Sequence, residues 1–217
     1  MISVPAVEGY RLWAETWDST PSPIVALEHR MLLPWIESLA PGRAIDVGCG
    51  TGRWTARLSA IGVDASEAML SVGARKGLRG RLAVADAAAL PVADGAADLV
   101  LCALTFGHIR DQAGAMHEFA RVLRPGGTLI LSDFHPAAAA QGWRRTFRHD
   151  GRVYDLENHP YTVAQLCAAA RGLKLCAIVE ASIGEPEREL FQHSGRPELF
   201  DPACGTPAVL LTRWARV

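Results

Sequence analysis

The ten residues from Ala44 to Arg53, AIDVGCGTGR, confine the chain to few folds, because they set a short apolar run directly against three glycines spaced two apart. Ala44, Ile45 and Val47 read as a short buried strand with Asp46 at its carboxyl end. Gly48, Gly50 and Gly52 then make a tight turn into a helix that carries Arg53 and Trp54. Glycine there permits positive φ and removes the Cβ, so a ligand can approach the main chain and its N–H groups at the helix start. Any strand-to-helix corner can need such a turn, so the sequence around it has to decide what it is for.

Hydrophobic patterning extends the reading along the chain. Residues 1–40 hold no strand-like alternation and read as a helical amino-terminal cap, with a helix from Ile24 to Leu39 that Pro34 breaks or kinks, and a Pro41-Gly42 turn after it. Strands at 43–48, 61–64, 81–85, 97–103 and 128–134 then alternate with helices at 52–59, 66–75 and 111–123. This alternation predicts an α/β fold, a parallel sheet with helices on both faces. After residue 134 come a turn at Asp150-Gly151, a helix opened by Thr162 with Gln165 as its capping partner, and strands at 173–182 and 207–215. The polar, proline-bearing stretch from Gly184 to Cys204 reads as a lid or as a loop with no role.

Composition excludes several classes. The chain has 217 residues, 49% of them apolar and 21% charged, which suits a single domain over 1–217 with a core at 43–134 and substrate-side elements at 135–217. A net charge of −1 argues against a general nucleic-acid surface, although Arg144, Arg145 and Arg148 make a local basic cluster. The five cysteines show no Cys-x-x-Cys pair or zinc spacing and read as reduced core residues, so no metal is expected. No leader and no bilayer-length apolar run stands out, which points to a cytoplasmic protein without a membrane role, acting as a monomer or homodimer.

The residues able to carry chemistry cluster after the glycine turn. Asp64 ends the second strand, sixteen positions after Gly48, where a doubly wound fold places an acid that accepts hydrogen bonds from both ribose hydroxyls. The Asp-x-Gly-x-Gly-x-Gly order at 46–52, the run Asp64-Ala65-Ser66-Glu67-Ala68-Met69-Leu70, the run Leu90-Pro91-Val92-Ala93-Asp94-Gly95 leading to Asp98, and Leu123-Arg124-Pro125-Gly126-Gly127 follow one another in order. Together they resemble the class I S-adenosylmethionine (SAM) dependent methyltransferases of type 11. Only twelve positions separate Gly52 from Asp64, fewer than in most relatives.

The resemblance implies a doubly wound, mostly parallel seven-stranded sheet that closes with an antiparallel C-terminal hairpin. It implies SAM as cofactor, held by Asp46, Gly48, Cys49, Gly50, Gly52, Asp64, Ala65, Met69, Asp86, Ala87 and Ala103, with Asp86 taking the adenine amino group. It also implies methyl transfer to oxygen, nitrogen or carbon of a small molecule. Substrate residues are expected within 103–108 and 132–136, beyond the strand ends. No Asn/Asp-Pro-Pro-Tyr/Phe follows the fourth strand and no Pro-Cys nucleophile exists, which disfavours nucleobases as acceptors. His135 and His108 are candidate general bases, or else hydrogen-bonded wall residues. Tyr10, Trp13 and Trp17 recur at helical spacing and can pack on the sheet, cover the site, or do both. Two rivals stand beside this reading: a non-catalytic regulatory protein that binds SAM or S-adenosylhomocysteine, and an NAD(P)-dependent oxidoreductase. The second is opposed by Arg53, which occupies the position of that motif's third glycine.

Overall fold

In the computed structural model, which describes residues 1–217, the glycine turn lies at the centre of a seven-stranded sheet. The strands are β1 (Ile2–Val4), β2 (Ala44–Val47), β3 (Ile61–Asp64), β4 (Leu82–Val84), β5 (Ala97–Ala103), β6 (Leu123–Phe134), β7 (Thr146–His149), β8 (Arg152–Leu156), β9 (Leu173–Ser182) and β10 (Pro207–Arg216). The helices are α1 (Ala6–Trp17), α2 (Pro23–Glu37), α3 (Arg53–Leu58), α4 (Glu67–Gly73), α5 (Gln112–Val122), α6 (Pro136–Ala140), α7 (Val163–Ala169), α8 (Arg188–His193) and α9 (Phe200–Ala203).

The large sheet runs in the order β4-β3-β2-β5-β6-β10-β9. Its first five strands pair in parallel, and β10 pairs antiparallel with both β6 and β9. Strand order reverses between β2 and β5, so the crevice beyond their carboxyl ends is the switch point where open α/β sheets bind ligands. The strands next to it are buried on both faces, with side chains alternating between two cores. Val100 and Cys102 of β5 face one core with Phe106, Met116, Phe119 and Trp214, while Leu99 and Leu101 face the other with Leu27, Leu32, Ile130 and Phe200.

Two expectations for the ends of the core need correction. Residues 1–40 are not purely helical, because Ile2–Val4 pairs in parallel with Tyr154–Leu156 to form a second sheet, β1-β8-β7. Three residues carry no readable period; their partner is fixed only by folding. Pro34 does not end its helix either: α2 continues from Pro23 to Glu37 with Pro34 inside it, giving up the N–H bond back to Arg30 three residues before the helix stops.

The segment 184–204 is neither a lid nor a passive loop. It folds into α8 and α9, whose Phe191 and Phe200 rings meet edge to face at 5.6 Å within the core beneath α2. Glu187, buried at the start of α8, accepts from the Gly184 N–H and from Arg30 of α2. The remaining features follow their local chemistry: Asp150-Gly151 closes the β7–β8 hairpin, and Thr162 caps α7 in a reciprocal box with Gln165.

Candidate active site

The glycine turn is shaped by steric need. Gly48, Gly50 and Gly52 have φ of 68°, 55° and 87°, all in the left-handed region. A Cβ on Gly48 would overlap Thr105 from the end of β5, and one on Gly52 would overlap Leu78. Four of the turn's main-chain N–H groups are taken up within the fold rather than held out to a ligand. Gly48 and Cys49 both donate to the Val63 carbonyl (2.8 and 3.1 Å), Gly52 to the Cys49 carbonyl (2.9 Å), and Gly50 to Asp64 Oδ2 (2.8 Å). The turn therefore braces β2 against β3.

Carboxylates flank this turn. Asp46 is buried and accepts from Thr55 Oγ1 at 2.7 Å, and burial pushes its carboxyl up to about 6. Asp64 accepts from Gly50 N–H through one oxygen and from Ser66 N–H through the other, both at 2.8 Å. Burial raises its carboxyl while those N–H bonds pull the other way. Each oxygen keeps a lone pair for a further donor. Asp86, exposed at the end of β4, accepts from the Ala88 N–H at 2.9 Å.

A cavity of about 550 Å³ opens at the switch point. Of the residues expected to hold the cofactor, Asp46, Gly48, Cys49, Gly50, Asp64, Ala65, Met69, Asp86, Ala87 and Ala103 line it. Gly52 does not; its place is the packing contact with Leu78 that starts α3. The slot between Asp64 and Asp86 is walled by the apolar side chains of Ala65, Met69, Val84, Ala85 and Ala87, an arrangement that fits a flat heteroaromatic base with hydroxyl and amino donors at its ends.

The two histidines separate. His108 lines the cavity. His135 does not: it caps α6, its Nδ1 accepting from the Ala137 N–H at 3.0 Å and its Nε2 lying 3.4 Å from Glu180 of β9. The reason is local, since Pro136 opens a short helix whose second residue needs an acceptor, and the neighbouring imidazole supplies it. The candidate base at His135 is thereby removed from the site.

The wall also holds residues to which sequence patterning assigns no individual role, Leu104 and Thr105 of the expected 103–108 stretch among them. Leu104, at φ 54°, is a strained non-glycine residue at the end of β5, and Thr105 Oγ1 donates to the carbonyls of Gly48 and Ala103 at 3.1 Å. Arg53 reaches the cavity and donates to Glu28 at 2.7 Å; Glu28, fully buried on α2, also accepts from Ser132 Oγ. An acid inside the apolar run of α2 was the available signal, since a buried charge requires a partner. Arg145 is not part of a basic surface: it pairs with buried Asp133, and Arg144 pairs with Asp155 at 2.7 Å. Tyr10 and Trp17 line the cavity, while Trp13 packs with Phe147 and Leu156, so α1 both packs and covers.

Comparison with known proteins agrees with this geometry. Residues 45–131 match the methyltransferase-domain family. The chain is 39% identical over 108 residues to a demethylmenaquinone methyltransferase of Thermus thermophilus, covering 45% of this chain and 49% of that protein. It is 38% identical over 139 residues to a malonyl-[acyl-carrier protein] O-methyltransferase of Methylococcus capsulatus, covering 56% and 50%. The chain thus spans about half the length of the curated relatives it matches. In fold it is similar to an S-adenosylmethionine dependent methyltransferase from Mesorhizobium loti, with a TM-score of 0.64 at 23% identity over 88% of this chain and 100% of that one. The motifs and their placement around the switch point agree with these likenesses: residues 45–131 carry a methyltransferase domain, and the fold is similar to that of class I SAM-dependent methyltransferases.

Proposed function

We propose that this chain binds SAM in the switch-point cavity and transfers its methyl group to a small-molecule acceptor. The observation that carries the reading is the pair of strand-end carboxylates, Asp64 and Asp86, set on either side of an apolar slot beside the glycine turn. Asp64 has a lone pair on each oxygen to take the ribose hydroxyls, and Asp86 is placed to take an exocyclic amine. Bound SAM supplies a methyl carbon that its sulfonium already makes electrophilic, so the protein has to position the nucleophile and exclude water. Tyr10 and Trp17 of α1 supply that cover. Arg53, paired with Glu28 at the place of the third glycine, argues against a nicotinamide cofactor.

The protein works as a single domain on small molecules, as a monomer or homodimer in the cytoplasm, without nucleic acid. Its near-neutral charge supports the absence of a nucleic-acid partner; separately, no helix is long and apolar enough to cross a membrane. Calorimetry with S-adenosylhomocysteine and NADH tests the cofactor: saturable binding of the first and none of the second is expected, and the reverse would overturn the reading. Turnover of methyl-labelled SAM over a panel of acceptors separates an enzyme from a regulatory SAM-binding protein.

A further inference from the structure

A half-buried polar chain forms the cavity wall on the β5 side, and its hydrogen-bond directions are settled by its ends. The Glu157 carbonyl, 2.8 Å from His108 Nδ1, can only accept, so Nδ1 carries the proton. Arg145 Nη1, 2.8 Å from His108 Nε2, can only donate, so Nε2 carries the lone pair. His108 is therefore a neutral imidazole of one tautomer. Burial and the Arg145 charge hold it well below the usual histidine range, at about 4.

Arg145 cannot swing away. It is paired with Asp133, donates to the Leu104 carbonyl at 2.7 Å, and lies over the Phe134 ring. Asp133 is itself held by the N–H groups of Gly107 and Phe134. Tyr10 completes the chain: its hydroxyl is 3.1 Å from His108 Nε2, which accepts only, so the Tyr10 proton points at His108. Burial lifts the Tyr10 hydroxyl to about 12, so it stays a phenol at neutral pH. Arg145 also stands beside the Tyr10 oxygen as a donor, which leaves one oxygen lone pair for a ligand in the cavity that Tyr10 and His108 both line.

We propose that Tyr10 Oη is the seat of the acceptor's nucleophile, that it accepts a hydrogen bond from an N–H, and that the acceptor class is a neutral amine. The inference rests on the methyltransferase reading above. A carboxylate or phenolate brings no hydrogen to a site whose oxygen can only accept. A hydroxyl brings one but needs a base as its oxygen attacks, and His108 has its lone pair engaged by two donors. The carboxylates of the cavity belong elsewhere: Asp46, Asp64 and Asp86 sit on the β2–β4 side, and Asp111 caps α5 by accepting from the Gly114 N–H. An amine needs no base. Its nitrogen lone pair forms the new C–N bond, the methyl–sulfur bond breaks with its electron pair going to sulfur, and the resulting ammonium loses its N–H proton to solvent. His108 and Arg145 act as positioning residues that keep the Tyr10 hydroxyl turned the right way.

The test is methyl-labelled SAM offered with weakly basic aryl and alkyl amines, phenols, carboxylates and 1,3-dicarbonyl compounds. S-adenosylhomocysteine binding is measured on the same preparation. Label should enter amines, and the pH inflection of kcat/KM should move with the amine's own pKa from one amine to the next. Y10F should raise KM about tenfold to a hundredfold with a smaller change in kcat and with S-adenosylhomocysteine affinity and melting temperature retained. Nitrogen-15 NMR of His108 should show the Nδ1–H tautomer at neutral pH. Protein that binds S-adenosylhomocysteine but fails to label amines, labels another class instead, or shows one inflection common to all amines overturns the amine assignment and leaves the methyltransferase reading standing. An Nε2–H tautomer overturns it directly. Failure to bind S-adenosylhomocysteine overturns the methyltransferase reading itself.

Discussion

Arg53 on α3 and Glu28 on α2 form an ion pair at 2.7 Å in which the carboxylate is fully buried while the guanidinium side chain remains 34% exposed. The two ends therefore differ in what their loss leaves behind. Arg53→Met strands a buried charge and should cost about 3–5 kcal/mol, whereas Glu28→Gln leaves Arg53 free to turn to water and should cost about 1–2 kcal/mol. Urea denaturation of both variants checks the order; equal losses would show that Arg53 does not compensate Glu28.

Glycine substitutions in the turn should grade by the space available. Gly48→Ala adds a Cβ into Thr105 as well as left-handed strain, and should cost more than about 3 kcal/mol together with at least a tenfold loss of S-adenosylhomocysteine affinity. Gly50→Ala meets only the flexible end of Met69, at 3.1 Å, and should cost about 1–2 kcal/mol. Thermal melts and calorimetry read both effects, and a Gly48→Ala protein as stable as its Gly50→Ala counterpart would contradict the packing.

Asp64 and Asp86 should contribute unequally to cofactor affinity. Asp64→Ala removes a charged acceptor held in place by two N–H groups and should weaken binding by roughly 1.5–3 kcal/mol. Asp86 is exposed and holds one N–H, so its replacement should cost about 1 kcal/mol or less. Dissociation constants for S-adenosylhomocysteine measured on folded variants decide this; a larger effect at Asp86 would reverse the assignment.

Two groups of the cavity wall, buried Asp46 and half-buried His108, should oppose each other as the solution is acidified. His108 falls from an ordinary 6.5 to about 4, so the unfolded chain takes its proton first and folding stability is lost as pH drops from about 6.5 to 4. Asp46 rises from 3.8 to about 6, so the folded chain takes its proton first and stability is gained as pH drops from about 6 to 3.8. His108→Asn should flatten the acid loss between pH 6.5 and 4, and Asp46→Asn should steepen it. Urea midpoints measured from pH 4 to 7 give the slopes, and slopes changed in the opposite sense would show that the two environments are misassigned.

The order of core strands and helices was legible in the sequence because each is written locally. Ile45 and Val47 before a glycine turn, the buried run of 97–103, and the stop at Pro125-Gly126 all carry their signal within a few residues. The strand-end carboxylates of the cavity were legible for the same reason. Asp46, Asp64 and Asp86 sit at strand ends, and a parallel sheet brings strand ends to one edge whatever the details of packing.

The polar chain on the β5 side of the cavity was written nowhere in one place. Tyr10, His108, Asp133 and Arg145 come from α1, the turn after β5, the end of β6 and the approach to β7, and only the closed fold brings them within hydrogen-bond reach. The two histidines read alike in sequence, yet one became the cap of α6 and the other a fixed imidazole in the cavity. A strand end or a helix cap is encoded by neighbours along the chain, while a hydrogen bond across 98 positions is encoded by every element packed between them. The sequence by itself determined the core of the sheet and the strand-end carboxylates that gather at its switch point. Tertiary packing alone decided which polar groups line the β5 side of the cavity and which way their protons point.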